Sequence, residues 1–515
     1  MAGVYSADSI RRAEEPLLQA LPEGELMQRA AYGLYTHTLQ ELRRHTGTVA
    51  GNRVLLLVGA GNNGGDTLWC GTFLRRRGVA VTAILLNPKR THPAGLTAFQ
   101  DAFGDVITSD NTTAVRTAVE RSTFAVDGIV GIGGHGAMRE PAATIVKMLT
   151  ERNTPILSVD IPTGIDPDSG VIHDPHVAPV ATVTFGALKP CHVLARSACG
   201  RIHLVDIGLD FAGDAPAFTV LSDADVADRW PIPGAHDNKY STGVVGVCAG
   251  SATYPGAALL AVSGACNSTS AMVRYTGSAQ DLVLYHHPDV VCTGSPQQAG
   301  RVDAWVAGPG MGVDEAAADR LEWILQQEEP VVLDADALTL ISTHPDLMDA
   351  RPHGAATLLT PHVGEFLRLS GVYPAAPNQP LPAASTELDT MGRPATVTAC
   401  RAAWAAQGIT VSILLKGRAT YIAGDGGCFV EDTGSSWAAT PGSGDVLSGI
   451  IGALVAHGAK VGRRVEESAA MAVRVHSRAA MLAAGGVGTG KHPGSPITAS
   501  TLARHVSAAI RNLHN

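Results

Sequence analysis

Asp445 ends the run Ala438-Ala439-Thr440-Pro441-Gly442-Ser443-Gly444-Asp445, and Val446-Leu447-Ser448-Gly449 then leads into an apolar helical segment. Glycines, a serine and a helix N-terminus together make an anion hole, with Asp445 placed to take a proton from a hydroxyl that attacks a phosphate. In-line phosphoryl transfer asks mainly for positioning, charge stabilisation and a base for the nucleophile. The local alternative is an N-cap, worth roughly 0.5–2 kcal/mol. Four further runs lie at predicted strand ends or turns: Gly308-Pro309-Gly310-Met311-Gly312, Val332-Leu333-Asp334-Ala335-Asp336-Ala337-Leu338, Leu359-Thr360-Pro361-His362-Val363-Gly364-Glu365-Phe366 and Leu414-Leu415-Lys416-Gly417-Arg418-Ala419-Thr420. Taken singly, His362 reads as a helix cap, Glu365 as part of that helix's first turn, and Lys416 as a solvated strand-end lysine.

The first half presents Asp160 within Ser158-Val159-Asp160-Ile161-Pro162-Thr163-Gly164-Ile165-Asp166. A carboxylate in an apolar strand end is costly to bury without a partner or a purpose, the alternative being a cap on the following turn. Upstream, Val54–Val58 runs into Gly59-Ala60-Gly61-Asn62-Asn63-Gly64-Gly65-Asp66, with a helix expected over Leu68–Arg77. Such a loop lets backbone N–H groups face a phosphate, and its amide and carboxylate oxygens can coordinate a cation or orient a sugar. It is not the G-x-G-x-x-G of a hydride-transfer domain, which weakens a dehydrogenase reading. A second cluster, Gly131-Ile132-Gly133-Gly134-His135-Gly136, follows a strand that carries Asp127. Ligands of open α/β sheets bind outside the carboxyl ends of the strands, so these loops are expected to converge.

The elements that must position these residues alternate as in a parallel sheet covered by helices. Strands are expected at Val54–Val58, Val79–Leu86, Phe124–Val130, Ile156–Ile161, Thr182–Phe185 and Ile202–Ile207, after one or two helices over Ser6–His45. A second α/β series has strands at Val244–Ala249, Trp305–Ala307, Val331–Leu333, Thr357–Thr360 and Ser412–Leu415, then alanine-rich helices. Between the two, Asp210–Asn238 is rich in Asp, Ala and Pro and resists a regular reading, which places a domain boundary there. The proline-containing stretch from Tyr373 to Pro394 reads as a surface insertion or lid.

With 515 residues, 45% hydrophobic and 17% charged, the chain suits two globular domains. A net charge of -9 argues against a nucleic-acid partner. No uninterrupted apolar stretch reaches the about 20 residues that cross a bilayer, and Met1–Glu15 lacks a signal-peptide core. The eight cysteines form no C-x-x-C pair, as expected of reduced thiols in a cytoplasmic protein.

The Gly61–Asp66 run, the Asp127 strand with its glycine loop, Val159-Asp160-Ile161-Pro162-Thr163-Gly164 and Val183-Thr184-Phe185-Gly186-Ala187-Leu188-Lys189-Pro190 together resemble the NAD(P)H-hydrate epimerases. That resemblance implies a Rossmann-like three-layer domain over residues 1–220. Its substrate loops would be Asn62, Asn63, Gly64, Gly65 and Asp66 with Gly131, Ile132, Gly133, Gly134, His135, Gly136 and Ala137. Asp160 would bind substrate and act as the catalytic carboxylate, and Asn63, Asp127 and Thr163 would ligate potassium. Two departures stand out: Thr67 where the family usually has glycine, and His135 with an extra glycine in the second loop.

From about Pro233 onward, His236-Asp237-Asn238-Lys239-Tyr240-Ser241-Thr242-Gly243, Gly250-Ser251-Ala252-Thr253-Tyr254-Pro255-Gly256-Ala257 and the runs around Asp445 resemble the ADP-dependent NAD(P)H-hydrate dehydratases of the ribokinase-like superfamily. This implies a ribokinase-like α/β domain over residues 221–515. In it Ala257, Gly310, His362 and Asp445 would contact the hydrated cofactor, and Lys416, Gly417, Arg418, Ala419, Thr420 and Gly444 the adenine nucleotide. Asp445 would be the catalytic base, with magnesium and ADP taking part. Here Asp237-Asn238 spaces out the family's His-Lys-Tyr segment, and Ser443 replaces its usual threonine. The expected partners are NADHX, NADPHX and ADP, without nucleic acid or membrane, in a homo-oligomer. The alternatives are a small-molecule kinase and an N-terminal half that binds without catalysing.

Overall fold

The structure is a computed structural model and describes residues 1–372, 393–485 and 494–514. The chain divides into two compact units, Gly3–Ala217 and Phe218–Asn515, the latter joined by Met1–Ala2.

In the first unit seven parallel strands lie in the order Asp105–Thr108, Ala80–Leu85, Arg53–Val58, Phe124–Gly128, Ile156–Val159, Ala181–Phe185, Arg201–Val205. Side chains of a strand alternate between faces, and a sheet covered on both sides needs apolar residues at every position. Arg53–Val58 meets this condition. Val54, Leu56 and Val58 enter one core with Leu34, Leu68 and Phe99, while Leu55 and Leu57 enter the other with Val115, Ile145 and Leu149. Strand order reverses between Arg53–Val58 and Phe124–Gly128, and a crevice opens at such a point. Two helices, Ala7–Ala20 and Glu25–Thr46, precede the sheet; Ser6 caps the first by accepting from the Ser9 N–H.

The second unit carries an eleven-stranded sheet. Its parallel part runs Ser412–Leu415, Thr357–Leu359, Val331–Leu333, Ala304–Ala307, Val244–Cys248, Met272–Thr276, Val291–Thr293. An antiparallel hairpin, Ala419–Gly424 and Gly427–Asp432, continues it toward Phe218–Val220 and the edge strand Ala2–Val4. Here the order reverses between Ala304–Ala307 and Val244–Cys248. The helix Ser443–Val461 is long and apolar enough on average to span a bilayer, although it has no uninterrupted apolar stretch of that length, but 67% of its apolar window is buried within the fold. It is a core helix.

Several elements differ from the sequence reading. The helix expected at Leu68 begins at Asn62, so Asn62–Asp66 are its first residues and only Gly59–Gly61 form the loop. Close packing explains this, because a Cβ at Gly64 would stand 2.3 Å from the Gly59 carbonyl oxygen. The strand expected through Ile161 stops at Val159, since Asp160 turns to φ +64°. Within the irregular stretch, Phe218–Val220 is a strand and Asp223–Ala227 a short helix closed by a capping box between Ser222 and Asp225. Ala419 and Thr420, placed by the sequence at a strand end or turn, open the strand Ala419–Gly424. Of the proposed insertion, residues 373–392 lie outside the described residues, and Arg393 begins the helix Arg393–Ala405.

Candidate active sites

The switch point of the first unit assembles most of the residues singled out there. Asp160 is 7% exposed and holds a backbone conformation that non-glycine residues rarely adopt. Hydrogen bonds fix it on every side. Its N–H donates to the Val183 carbonyl at 2.7 Å, and its own carbonyl accepts from Nε2 of His192 at 2.8 Å. The Lys189 N–H donates to Nδ1 of His192, which sets that tautomer, and burial pushes this imidazole down to about 4, so it stays neutral. On the carboxylate, Oδ1 accepts from Nζ of Lys189 at 2.7 Å and from the Thr184 hydroxyl at 3.0 Å. Lys189 is 1% exposed and also donates to Thr184 Oγ1 and the Phe185 carbonyl. Burial alone would raise the Asp160 carboxyl, but the Lys189 ammonium prevails and holds it below the usual carboxylate range. Oδ2 remains open toward Gly131, where a Cβ would come 3.4 Å from it and 3.3 Å from Asn63 Oδ1. A methyl group at Gly131 would sit in tight contact with both oxygens.

Asp127 and Thr163 meet directly. The Thr163 hydroxyl and N–H donate to the two carboxylate oxygens at 2.7 and 3.1 Å, and Ser158 and the Ile129 N–H supply two more bonds. Asn63 turns its amide toward the Val130 and Val159 carbonyls, at 2.8 and 3.2 Å. Thr67 points away from the cavity: its hydroxyl donates to the Asn63 carbonyl at 2.7 Å, and it packs where Gly128 has no side chain. His135 is exposed, with Nδ1 at 3.1 Å from Asp166. A cavity of about 940 Å³ reaches Asn62 and Asp66 but not the 131–137 loop, and Glu14, Trp69, His92 and Phe185 also line it.

In the second unit, Gly250 and the Gly308–Gly310 turn interlock at the strand reversal, the Gly250 N–H donating to the Pro309 carbonyl. Gly310 lies against Ala257, so a Cβ there would stand 2.7 Å from that of Ala257. A separate cavity of about 590 Å³ is lined by His362, Lys416, Gly417, Arg418, Thr420, Ser443 and Gly444; Ala419 is not among its walls. Gly442, at φ +82°, is the N-cap of the helix Ser443–Val461, and no side chain caps it. Asp445 therefore stands in the first turn with its carboxyl free of capping duty. Burial and the carboxylates of Asp334, Asp336 and Glu365 raise it to about 7, against the opposing pull of Lys416. That value suits a general base.

Behind Asp445 lies a network whose acidic members, Asp334 and Glu365, the sequence reading left without a catalytic role. Asp334 accepts from Lys416 Nζ at 2.7 Å and from the Ser448 hydroxyl at 2.6 Å, while Glu365 lies 3.8 Å from the same ammonium. Lys416 is thus an ion-pair partner and not a solvated lysine. His362 caps its helix as the bland reading had it, with Nδ1 accepting from the Gly364 N–H and Glu365 accepting from the His362 N–H. Ala335, between Asp334 and Asp336, is held at φ +49°, a strain of the kind that clusters at functional sites. His476 reaches under Ser443 on the cavity floor, with Nε2 at 3.0 Å from both its hydroxyl and its carbonyl. For Lys189 the available signal was Lys-Pro directly after a strand; for His192 and His476 the sequence offered none.

A family model described as NAD(P)H-hydrate dehydratase matches residues 245–498, and one described as YjeF-related protein N-terminus matches residues 23–191. The chain is 47% identical over 514 residues to the bifunctional NAD(P)H-hydrate repair enzyme Nnr of Mycobacterium leprae, covering 100% of both. It is 50% identical to that of Mycobacterium tuberculosis (strain ATCC 25618 / H37Rv), covering 89% of this chain and 90% of the relative. A solved structure, the ADP/ATP-dependent NAD(P)H-hydrate dehydratase of Bacillus subtilis co-crystallised with ATP and magnesium, is 25% identical, with 57% of this chain and 97% of that chain covered at a TM-score of 0.44. The chain belongs to the family of bifunctional NAD(P)H-hydrate repair enzymes.

Proposed function

We propose that the chain restores hydrated NADH and NADPH, interconverting the R and S epimers in its first unit and dehydrating the S epimer in its second. The observation that carries the reading is Asp445, poised at about 7 beside an uncapped helix N-terminus and a cavity of nucleotide size. Asp445 takes the proton of the ring hydroxyl as that oxygen attacks the terminal phosphate of ADP. Phosphate is a better leaving group than water, so its elimination regenerates the reduced ring and leaves AMP and phosphate. In the first unit the ionised Asp160 moves the proton at the hydroxyl-bearing carbon.

Asp127 is wholly buried with four hydrogen bonds and no cationic side chain facing it among the described residues. Its uncompensated charge and the nearby oxygens of Asn63 and Thr163 suit potassium, which would supply fixed positive charge there. Among the described residues no three His, Cys, Asp or Glu side chains gather as a metal cage. Magnesium is therefore expected to arrive on the nucleotide phosphates, as it commonly does.

Incubating the protein with separated epimers and ADP, while following the reduced-nicotinamide absorbance, tests the reading. Recovery from both epimers is expected. A phosphorylated product that accumulates without recovery would instead establish a plain kinase.

Two further results are expected. Gly131→Ala keeps the fold, because its backbone lies outside the left-handed region, yet it fills the space between Asn63 Oδ1 and Asp160 Oδ2. Epimerisation kcat/KM should fall by roughly tenfold or more, since small misplacements at a reacting centre are expensive. Dehydration should be unchanged. In the second unit the base must be ionised, so kcat for dehydration should rise with pH through about 7. Lys416 holds the Asp445 carboxyl down, so Lys416→Met should move this limb to higher pH. An unmoved limb would remove Lys416 from the control of the base.

A further inference from the structure

We propose that His476 is a positioning residue of the dehydratase unit: its Nε2–H occupies the acceptor side of the Ser443 hydroxyl, so that the hydroxyl proton is left to the phosphoryl group that ADP transfers. The inference rests on the dehydratase reading above.

Ser443 opens the helix Ser443–Val461 and lines the cavity of about 590 Å³. Its backbone cannot serve an anion there, because its N–H donates to the Thr440 carbonyl at 3.2 Å. The N–H groups of Gly444 and Asp445 have no such commitment among the described residues, and the Lys416 ammonium would stand 3.5 Å from a Cβ on Gly444. Two backbone donors and a cation thus lie at this turn, and the only donor Ser443 can add is its hydroxyl. A serine hydroxyl rotates freely and lacks the γ-methyl that stiffens threonine, so its direction must be set from outside.

His476 sets it. From the helix Val465–Ala483 its imidazole, 5% exposed, brings Nε2 to 3.0 Å from both the Ser443 carbonyl and the Ser443 Oγ. A carbonyl oxygen only accepts, so the nitrogen facing it carries the proton. Nε2–H is then shared between the carbonyl and Oγ, and Oγ is the acceptor. The hydroxyl proton is not spent on the ring, and no other described group takes it. Burial pushes the imidazole down to about 4 despite the Ser443 carbonyl, and the Lys416 ammonium adds to this, so the ring stays neutral and keeps one tautomer.

During transfer the charge of the phosphoryl group is spread over its outer oxygens. A donor already aimed at one of them stabilises the transferring state more than the bound nucleotide. Ser443 makes that contact and His476 acts through it. The bond from the terminal phosphorus of ADP to the bridging oxygen breaks with its electron pair leaving on AMP. The new bond joins that phosphorus to the ring oxygen, whose proton goes to Asp445.

The test uses the full chain with the S epimer of hydrated NADH and ADP, and measures kcat and the KM for ADP separately. Ser443→Ala is expected to lower kcat by about 100-fold, and His476→Met, which removes the N–H at similar side-chain length, by about tenfold, with KM for ADP little changed in both. His476→Gln, whose amide N–H can reach the same carbonyl, should recover most of that loss. The double variant should be no slower than Ser443→Ala alone, because His476 then has no hydroxyl left to orient. The thermal transition of the second unit reports that each variant is folded. Losses that multiply to about a thousandfold in the double variant, or His476→Gln no faster than His476→Met, make His476 structural only and overturn the proposal. Ser443→Ala at the wild-type rate overturns it too, without any change at the buried histidine. A wild-type chain that restores no reduced nicotinamide from the S epimer defeats the dehydratase reading itself.

Discussion

Asp445→Asn is expected to lower dehydration of the S epimer by about a thousandfold, within the range of roughly 10²–10⁴ that a positioned general base contributes. Asparagine keeps the size and polarity of the side chain but cannot accept a proton. The residue is not the N-cap of its helix, so the helix should survive the change. What disappears is a carboxyl that burial and its acidic neighbours raise to about 7, in the first turn of the helix that forms the anion hole. Nucleotide affinity should change little, because the cavity walls contributed by Lys416 to Arg418, Thr420, Ser443 and Gly444 are untouched. Conversion of R to S, read by chromatography of the epimers, should continue at the wild-type rate. A dehydration rate within tenfold of wild type would show that another group accepts the proton.

Lys189→Met should have the second-largest effect, acting on stability and catalysis together. The ammonium is the one cation hydrogen-bonded to the Asp160 carboxylate, and both are buried. Removing one member of a buried ion pair strands the other, which typically costs about 3–5 kcal/mol. Without Lys189 the burial of Asp160 is unopposed by its largest counter-charge, and its carboxyl rises toward the protonated form. A protonated Asp160 cannot receive a proton. Epimerisation should therefore fall by at least about 100-fold, and the unfolding transition of the first unit should move to lower temperature. The dehydratase transition and activity should stay in place. If thermal stability falls while epimerisation at low temperature is normal, Lys189 is structural only.

These two residues show where a sequence is informative and where it stops. Asp445 was legible because its chemistry is local: glycines, a serine and an aspartate next to an apolar helix specify an anion hole within a few residues. The alternating strands were legible for the same kind of reason, since a fully buried strand such as Arg53–Val58 must be apolar throughout. Short edge strands such as Asp105–Thr108 and Val291–Thr293 were not, because partial burial leaves them without a clear apolar pattern. The Asn62–Asp66 run was recognised as a site but misjudged as a loop, since glycines normally weaken a helix. Only the close approach of Gly64 to the Gly59 carbonyl explains a helix there.

The sequence by itself determined that there are two α/β units, and it singled out the loops and the two carboxylates, Asp160 and Asp445, on which the proposed chemistry rests. Only the tertiary structure decided the protonation states. Asp160 is ionised because Lys189, twenty-nine residues away in the chain, is buried against it. Burial first, and then the charges of Asp160 and Glu14, push the Asp66 carboxyl well above the usual carboxylate range. Asp445 is raised to about 7 because burial first, and then Asp334, Asp336 and Glu365, act against the pull of Lys416. The free energy of a charge depends on burial and on neighbours brought together by folding, and a linear sequence contains neither.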